Sequence, residues 1–166
     1  MTAAGLPEKS LRLAVYALPF AFALHNLEEL EGMEKWSHNV NSYVHAPVTT
    51  PQFGFAVGVF TILGFLLVFS RIRTALYVPF VCGFSGMLFL NVFFPHLAAS
   101  ILFGSLAPGV VTGVLINAPL SAFIWQRLIK LGLISKTRAA LSALAGGGTG
   151  ALLAALLLRL GAMITG

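Results

Sequence analysis

The sequence predicts an all-α membrane protein, a compact bundle of about five transmembrane helices with its N-terminus in the cytoplasm. Three observations carry this expectation. Hydrophobic residues make up 58% of the 166-residue chain and charged residues only 9%, and the mean hydropathy is +0.92; soluble domains are roughly half apolar and a quarter charged. Four regions, Leu11 to Leu27, Gln52 to Ser70, Ala75 to Trp125 and Ala139 to Thr165, approach or exceed the roughly 20 apolar residues that cross a bilayer core. The third holds no Asp, Glu, Lys or Arg over 51 residues, which at about 1.5 Å of rise per residue is too long for one crossing.

Each helix follows from its punctuation. The first is expected at residues 11–31, with Lys9 and Arg12 at its start, and the second at 52–70, closed by Arg71 and Arg73. The third runs over 75–94, and Pro95 with the later Pro108-Gly109 pair marks its reversal into a fourth over 108–126. Arg127, Lys130, Lys136 and Arg138 separate that helix from the fifth, at 139–164, and the whole of 1–166 reads as one integral membrane domain. With a cytoplasmic N-terminus these eight basic residues share one side, leaving Lys35 and Arg159 toward the other, as the positive-inside bias requires. The net charge of +5 is then a topology signal. No basic stripe with interleaved aromatics suggests nucleic-acid binding. Ala21-Phe22-Ala23 imitates a signal-peptidase site, but cleavage there would remove most of the helix that presents the polar residues. Cys82 is alone and mid-span, which excludes an internal disulfide and suits an inert core thiol.

The polar residues gather at one face of the membrane. The chain has no aspartate, and three of its five glutamates fall in the run His25-Asn26-Leu27-Glu28-Glu29-Leu30-Glu31. Positions i, i+3 and i+4 share a helix face, so His25, Glu28 and Glu29 project together. Ionised carboxylates beside hydrocarbon are costly unless paired, so this trio suits a metal centre or a proton-transfer pair. His/Glu ligation completed by water fits zinc, iron or manganese. Glu31 and Glu34 are read as helix-end charges. His38 and His45 occupy the polar connection 32–51, with His45, whose segment Pro47 and Pro51 rigidify, the better candidate for a further ligand. His96 follows the third helix to the same side, and Asn91 lies one turn deeper. Thr112 and Asn117 put hydrogen-bonding groups into the fourth helix and are candidate substrate contacts together with Asn91. Gly54/Gly58, Gly109/Gly113 and Gly146/Gly150 are small-residue pairs suited to close helix packing.

His25-Asn26-Leu27-Glu28-Glu29 resembles the signature of the HXXEE family, small prokaryotic integral membrane proteins. Asn91-Val92-Phe93-Phe94-Pro95-His96 is similar to that family's Asn and His motif, and Pro108-Gly109-Val110-Val111-Thr112 to its Pro-Gly-Thr motif, so the resemblance covers most of residues 14–125. It implies an enzyme-like polar site and names no reaction.

The expected function is therefore a membrane-embedded enzyme at the extracytoplasmic face of a prokaryotic inner membrane. It would act on an amphiphilic lipid or isoprenoid-like molecule through His25, Glu28, Glu29 and His96. In a hydrolase version a divalent metal (Zn, Fe or Mn) is held by His25, His96 and a glutamate; in an isomerase or cyclase version a protonated glutamate is the acid. The alternative is a non-enzymatic transporter or lipid- or cation-binding membrane protein, against which stand the absence of an inverted repeat and the placement of the polar groups at one face, away from the midplane.

Overall fold

Helices make up the fold of the computed structural model, which describes residues 5–40, 48–70 and 75–165, and no strand occurs among them. With segments that continue through a kink counted as one, there are five: α1 (Lys9–Asn39), α2 (Thr50–Phe69), α3 (Tyr77–Phe103), α4 (residues 110–130) and α5 (Lys136–Thr165). Three of these, α2, α3 and α5, are long and apolar enough to cross a membrane, and only 22%, 22% and 17% of their most apolar stretches are buried. The protein is a membrane protein whose apolar side chains largely face outward. α1 and α4 are interrupted by polar residues that turn inward: His25, Asn26, Glu29, Asn117 and Ser121 are buried, while Leu13, Phe20, Leu24, Leu27 and Leu115 are exposed.

Close contacts give the helix directions. Asn26 donates to Thr61 Oγ1 at 2.7 Å and Gly54 lies against Leu30, so α1 and α2 run antiparallel. Gln52 Nε2 donates to the Leu158 carbonyl at 3.1 Å, tying the start of α2 to the end of α5. Gly146 lies on Gly83 and Gly150 on Met87; the pairs advance together, so α3 and α5 are parallel. Glu8 pairs with Arg127 at 2.5 Å, joining the start of α1 to the end of α4. The Ser10 hydroxyl and the Arg127 guanidinium hold the Glu8 carboxyl below the ordinary carboxylate range. A core of Leu11, Val15, Leu18, Val81, Cys82, Leu88, Ile124 and Leu128 fills the space among α1, α3 and α4.

Two boundaries depart from the sequence expectation. α1 runs eight residues past Glu31 to Asn39, so Glu34 and His38 are helical, and Glu34 accepts from the Thr50 N–H at 2.9 Å and from the Thr50 hydroxyl at the start of α2. α3 does not stop at Phe94. Phe94 leaves helical geometry (φ −139°, ψ 117°) ahead of Pro95, to which it is joined by a cis peptide bond. The chain resumes as helix over Ala98–Phe103. Proline here kinks the helix without ending it. The reversal comes later, at Gly104 (φ 62°) and Gly109 (φ 90°). Arg71, Arg73 and His45 lie outside the described residues.

The small-residue pairs do different work. A Cβ on Gly146 would come within 2.0 Å of the Gly83 carbonyl oxygen, whereas one on Gly58 would meet nothing within 4 Å. Gly146→Ala is expected to lower stability in detergent by about 1–3 kcal/mol through overpacking of backbone on backbone. Gly58→Ala, which gains helix propensity at no steric cost, should be neutral or slightly stabilising. Thermal unfolding of both variants checks this, and equal melting temperatures would contradict the close α3–α5 seam.

Candidate metal centre

The site lies where the second half of α1, the kink of α3 and the first turn of α4 meet. On α1, His25 and Glu29 are one turn apart, and on α3, His96 faces them across the gap. His25 is 0% exposed, His96 2% and Glu29 9%. Glu29 Oε1 is 3.0 Å from His96 Nε2 and 3.7 Å from His25 Nε2, and the two rings meet edge to face with centroids 4.9 Å apart. One ligand atom from each of His25, Glu29 and His96 lies within 4.8 Å of the others. Asn91 completes the ring of groups, its amide 3.0 Å from His25 Nε2 and 2.8 Å from His96 Nε2.

The kink within Val92–Leu97, where Phe94 leaves helical geometry ahead of Pro95, makes this convergence possible. In an uninterrupted α-helix, residues five apart point in different directions, and a kink between them resets that relation. Asn91 and His96 are five apart.

Glu28 does something else. Its Oε1 accepts from the Gly109 and Val111 N–H groups at 3.0 and 3.1 Å, and its Oε2 from the Thr112 N–H at 2.8 Å and the Thr112 hydroxyl at 2.6 Å. The Val110 N–H goes to the Ala107 carbonyl and the Gly113 N–H to the Gly109 carbonyl. Every free N–H at the start of α4 is thus accounted for, and a carboxylate from another helix supplies the negative charge that a helix N-terminus favours. Of the four residues expected to share a centre, the structure brings together His25, Glu29 and His96. It turns Glu28 to the neighbouring helix end.

Thr112 links the two. Its hydroxyl proton goes to Glu28, so its lone pair receives the Nδ1–H of His25, 3.0 Å away. His25 therefore carries its proton on Nδ1 and aims the Nε2 lone pair at Glu29 and His96. A metal-binding imidazole is ordinarily fixed this way, by a hydrogen bond from its other nitrogen. Sequence reading placed Thr112 as a substrate contact; the structure makes it a partner of His25 and Glu28.

Gly109 closes the site from above. A Cβ there would stand 2.8 Å from the Cε1 atoms of both His25 and His96 and 3.1 Å from Glu29 Cγ, at a φ of 90°. Only glycine meets both demands. Sequence reading gave Gly109 a turn and packing role; its other signal was its place between Pro108 and the Thr112 motif. Asn117 lies on α4 four residues beyond Gly113, fully buried, and neither its amide atoms nor Ser121 Oγ has a hydrogen-bond partner among the described residues. His38 is exposed at the end of α1.

The three sequence motifs thus meet in one site. The family described as "Protein of unknown function with HXXEE motif" matches residues 16–124, which include all three. The chain belongs to the HXXEE family. It is also similar to the uncharacterized protein YrkK of Bacillus subtilis (strain 168), 37% identical over 119 residues that cover 67% of this chain and 72% of that protein. No solved structure matches it. Within the HXXEE motif of this chain, the His and the second Glu face the centre, and the first Glu holds α4.

Proposed function

We propose that the protein is a metal-dependent membrane enzyme acting on an amphiphilic lipid or isoprenoid, with the divalent cation (Zn, Fe or Mn) held by His25, Glu29 and His96. One observation carries the reading: three potential ligand atoms, one from each of His25, Glu29 and His96, lie within 4.8 Å of one another in a buried setting. Two histidines with one glutamate form a known catalytic ligand set for zinc. Metal chemistry is favoured over acid/base chemistry by Glu28, because both of its oxygens are taken up by α4.

The cation would lower the pKa of a bound water to roughly 7. Such a cation would supply activated water for hydrolysis of an acyl or phosphoryl ester of the lipid, in which the water oxygen would bond to the carbon or phosphorus atom, the ester C–O or P–O bond would break, and the departing oxygen would take up a proton from that water. A cavity of about 590 Å³ beside the site suits the head of an amphiphile: Glu31, Lys35 and Asn39 line it together with Trp36, Phe103 and Leu106, and it is bounded by Glu28 and Pro108. The unpartnered Asn117 amide would meet a polar atom of the substrate deeper in the bundle. With a cytoplasmic N-terminus, the described basic residues Lys9, Arg12, Arg127, Lys130, Lys136 and Arg138 lie at the inner end and the site opens at the outer face.

The test compares lipid extracts of cells expressing the wild type, cells expressing Glu29→Gln and cells expressing neither. One lipid class should fall and its hydrolysis product rise only with the wild type, and chelation of the purified protein should abolish the conversion in detergent. Identical lipid profiles from all three, with no conversion by metal-loaded protein, would overturn the enzyme reading.

A further inference from the structure

We propose that Asn91 is a fourth metal ligand through its amide oxygen, an inference that rests on the metal centre described above. The amide lies 3.0 Å from His25 Nε2 and 2.8 Å from His96 Nε2, and Glu29 Oε1 lies 3.7 and 3.0 Å from the same two atoms. A tetrahedral site with arms of about 2.0–2.1 Å has edges of about 3.3–3.4 Å. The four distances bracket that value and stand for four of a tetrahedron's six edges, as an amide at the fourth corner, beside the two rings and the carboxylate, requires.

The NH₂ group faces the rings and can donate one N–H to each Nε2 lone pair. A half-turn of the amide exchanges nitrogen for oxygen at nearly the same position and turns a double donor into a ligand. The same corner thus serves both states: hydrogen bonds hold the two imidazoles in register without the cation, and the oxygen completes the shell with it. Two imidazoles, a carboxylate and an amide oxygen suit a borderline divalent ion. The neutral amide is the weakest of the four donors, so it is the one that gives way when water or a substrate oxygen needs a place on the metal.

Cobalt(II) is the probe, because its visible absorption is strong in four-coordinate sites and weak in six-coordinate ones. Detergent-purified wild type should bind Co²⁺ with the strong spectrum. Asn91→Asp keeps the shape, cannot donate N–H groups, and adds a charged oxygen; it should bind Co²⁺ about tenfold more tightly. Asn91→Ala should bind roughly ten- to a hundredfold more weakly, and its spectrum should respond to azide at concentrations at least about tenfold below those the wild type needs, since the corner is open. If Asn91→Asp binds as weakly as Asn91→Ala, or if azide acts equally on wild type and Asn91→Ala, Asn91 is only a hydrogen-bond donor and the proposal fails while the three-residue centre stands. If the wild type binds no Co²⁺, both the fourth ligand and the centre fail.

Discussion

His25→Ala and His96→Ala are each expected to weaken zinc binding by at least about a hundredfold, more than the ten- to hundredfold loss typical when an outer partner of a ligand is removed. Each substitution removes one of the three atoms that define the centre. The double variant should be little worse than either single one, because groups that act as a unit do not contribute additively. His25 is fully enclosed, so His25→Gly leaves a space the size of its ring, and added imidazole should restore part of the binding. Competition titration with a zinc indicator, together with the metal content of protein purified without chelator, measures this. Stoichiometric, tightly held metal in both single variants would exclude these histidines as ligands.

The second large effect concerns the fold. Glu28→Gln should destabilise the protein in detergent by about 2–4 kcal/mol, and Glu29→Gln by much less. The Glu28 carboxylate receives two donors on each oxygen. Glutamine keeps one acceptor oxygen and presents an NH₂ group to the remaining two donors, so the substitution removes favourable hydrogen bonds and adds a donor–donor clash. It also removes the negative charge from the α4 N-terminus. Glu29→Gln should instead lose metal with little change in melting. A Glu28→Gln variant that melts like the wild type would show that the helix end does not depend on this carboxylate.

Much of the fold was legible, because hydropathy responds to the membrane one residue at a time. His25, Glu29, His96 and Asn91 were legible as a site for a related reason: polar groups on apolar helices stand out, and helical spacing fixes which of them share a face. The different fates of Glu28 and Glu29 were not. Positions i+3 and i+4 flank His25 on either side of one helix face, and the choice between them is made by α4, whose first turn arrives 81 to 84 residues later in the chain. Nor could spacing reveal that α3 passes Pro95, since the kink within Val92–Leu97 obeys no α-helical periodicity. Thr112 reads as a generic polar residue until its two partners, Glu28 and His25, are seen on either side of its hydroxyl.

The distance along the chain between these partners bears on how the protein is made. His25 meets Asn91 and Thr112 66 and 87 residues downstream, so α1 is synthesised long before anything can neutralise or bond its polar face. α2 comes first: the Asn26–Thr61 hydrogen bond spans only 35 residues and can form as the first hairpin closes. It leaves His25, Glu28 and Glu29 without their later partners. During biosynthesis the motif residues must therefore remain near the membrane surface or beside the insertion machinery until α3 and α4 have been translated. The site can therefore come together only once α4 is made, and α5 joins the bundle after it.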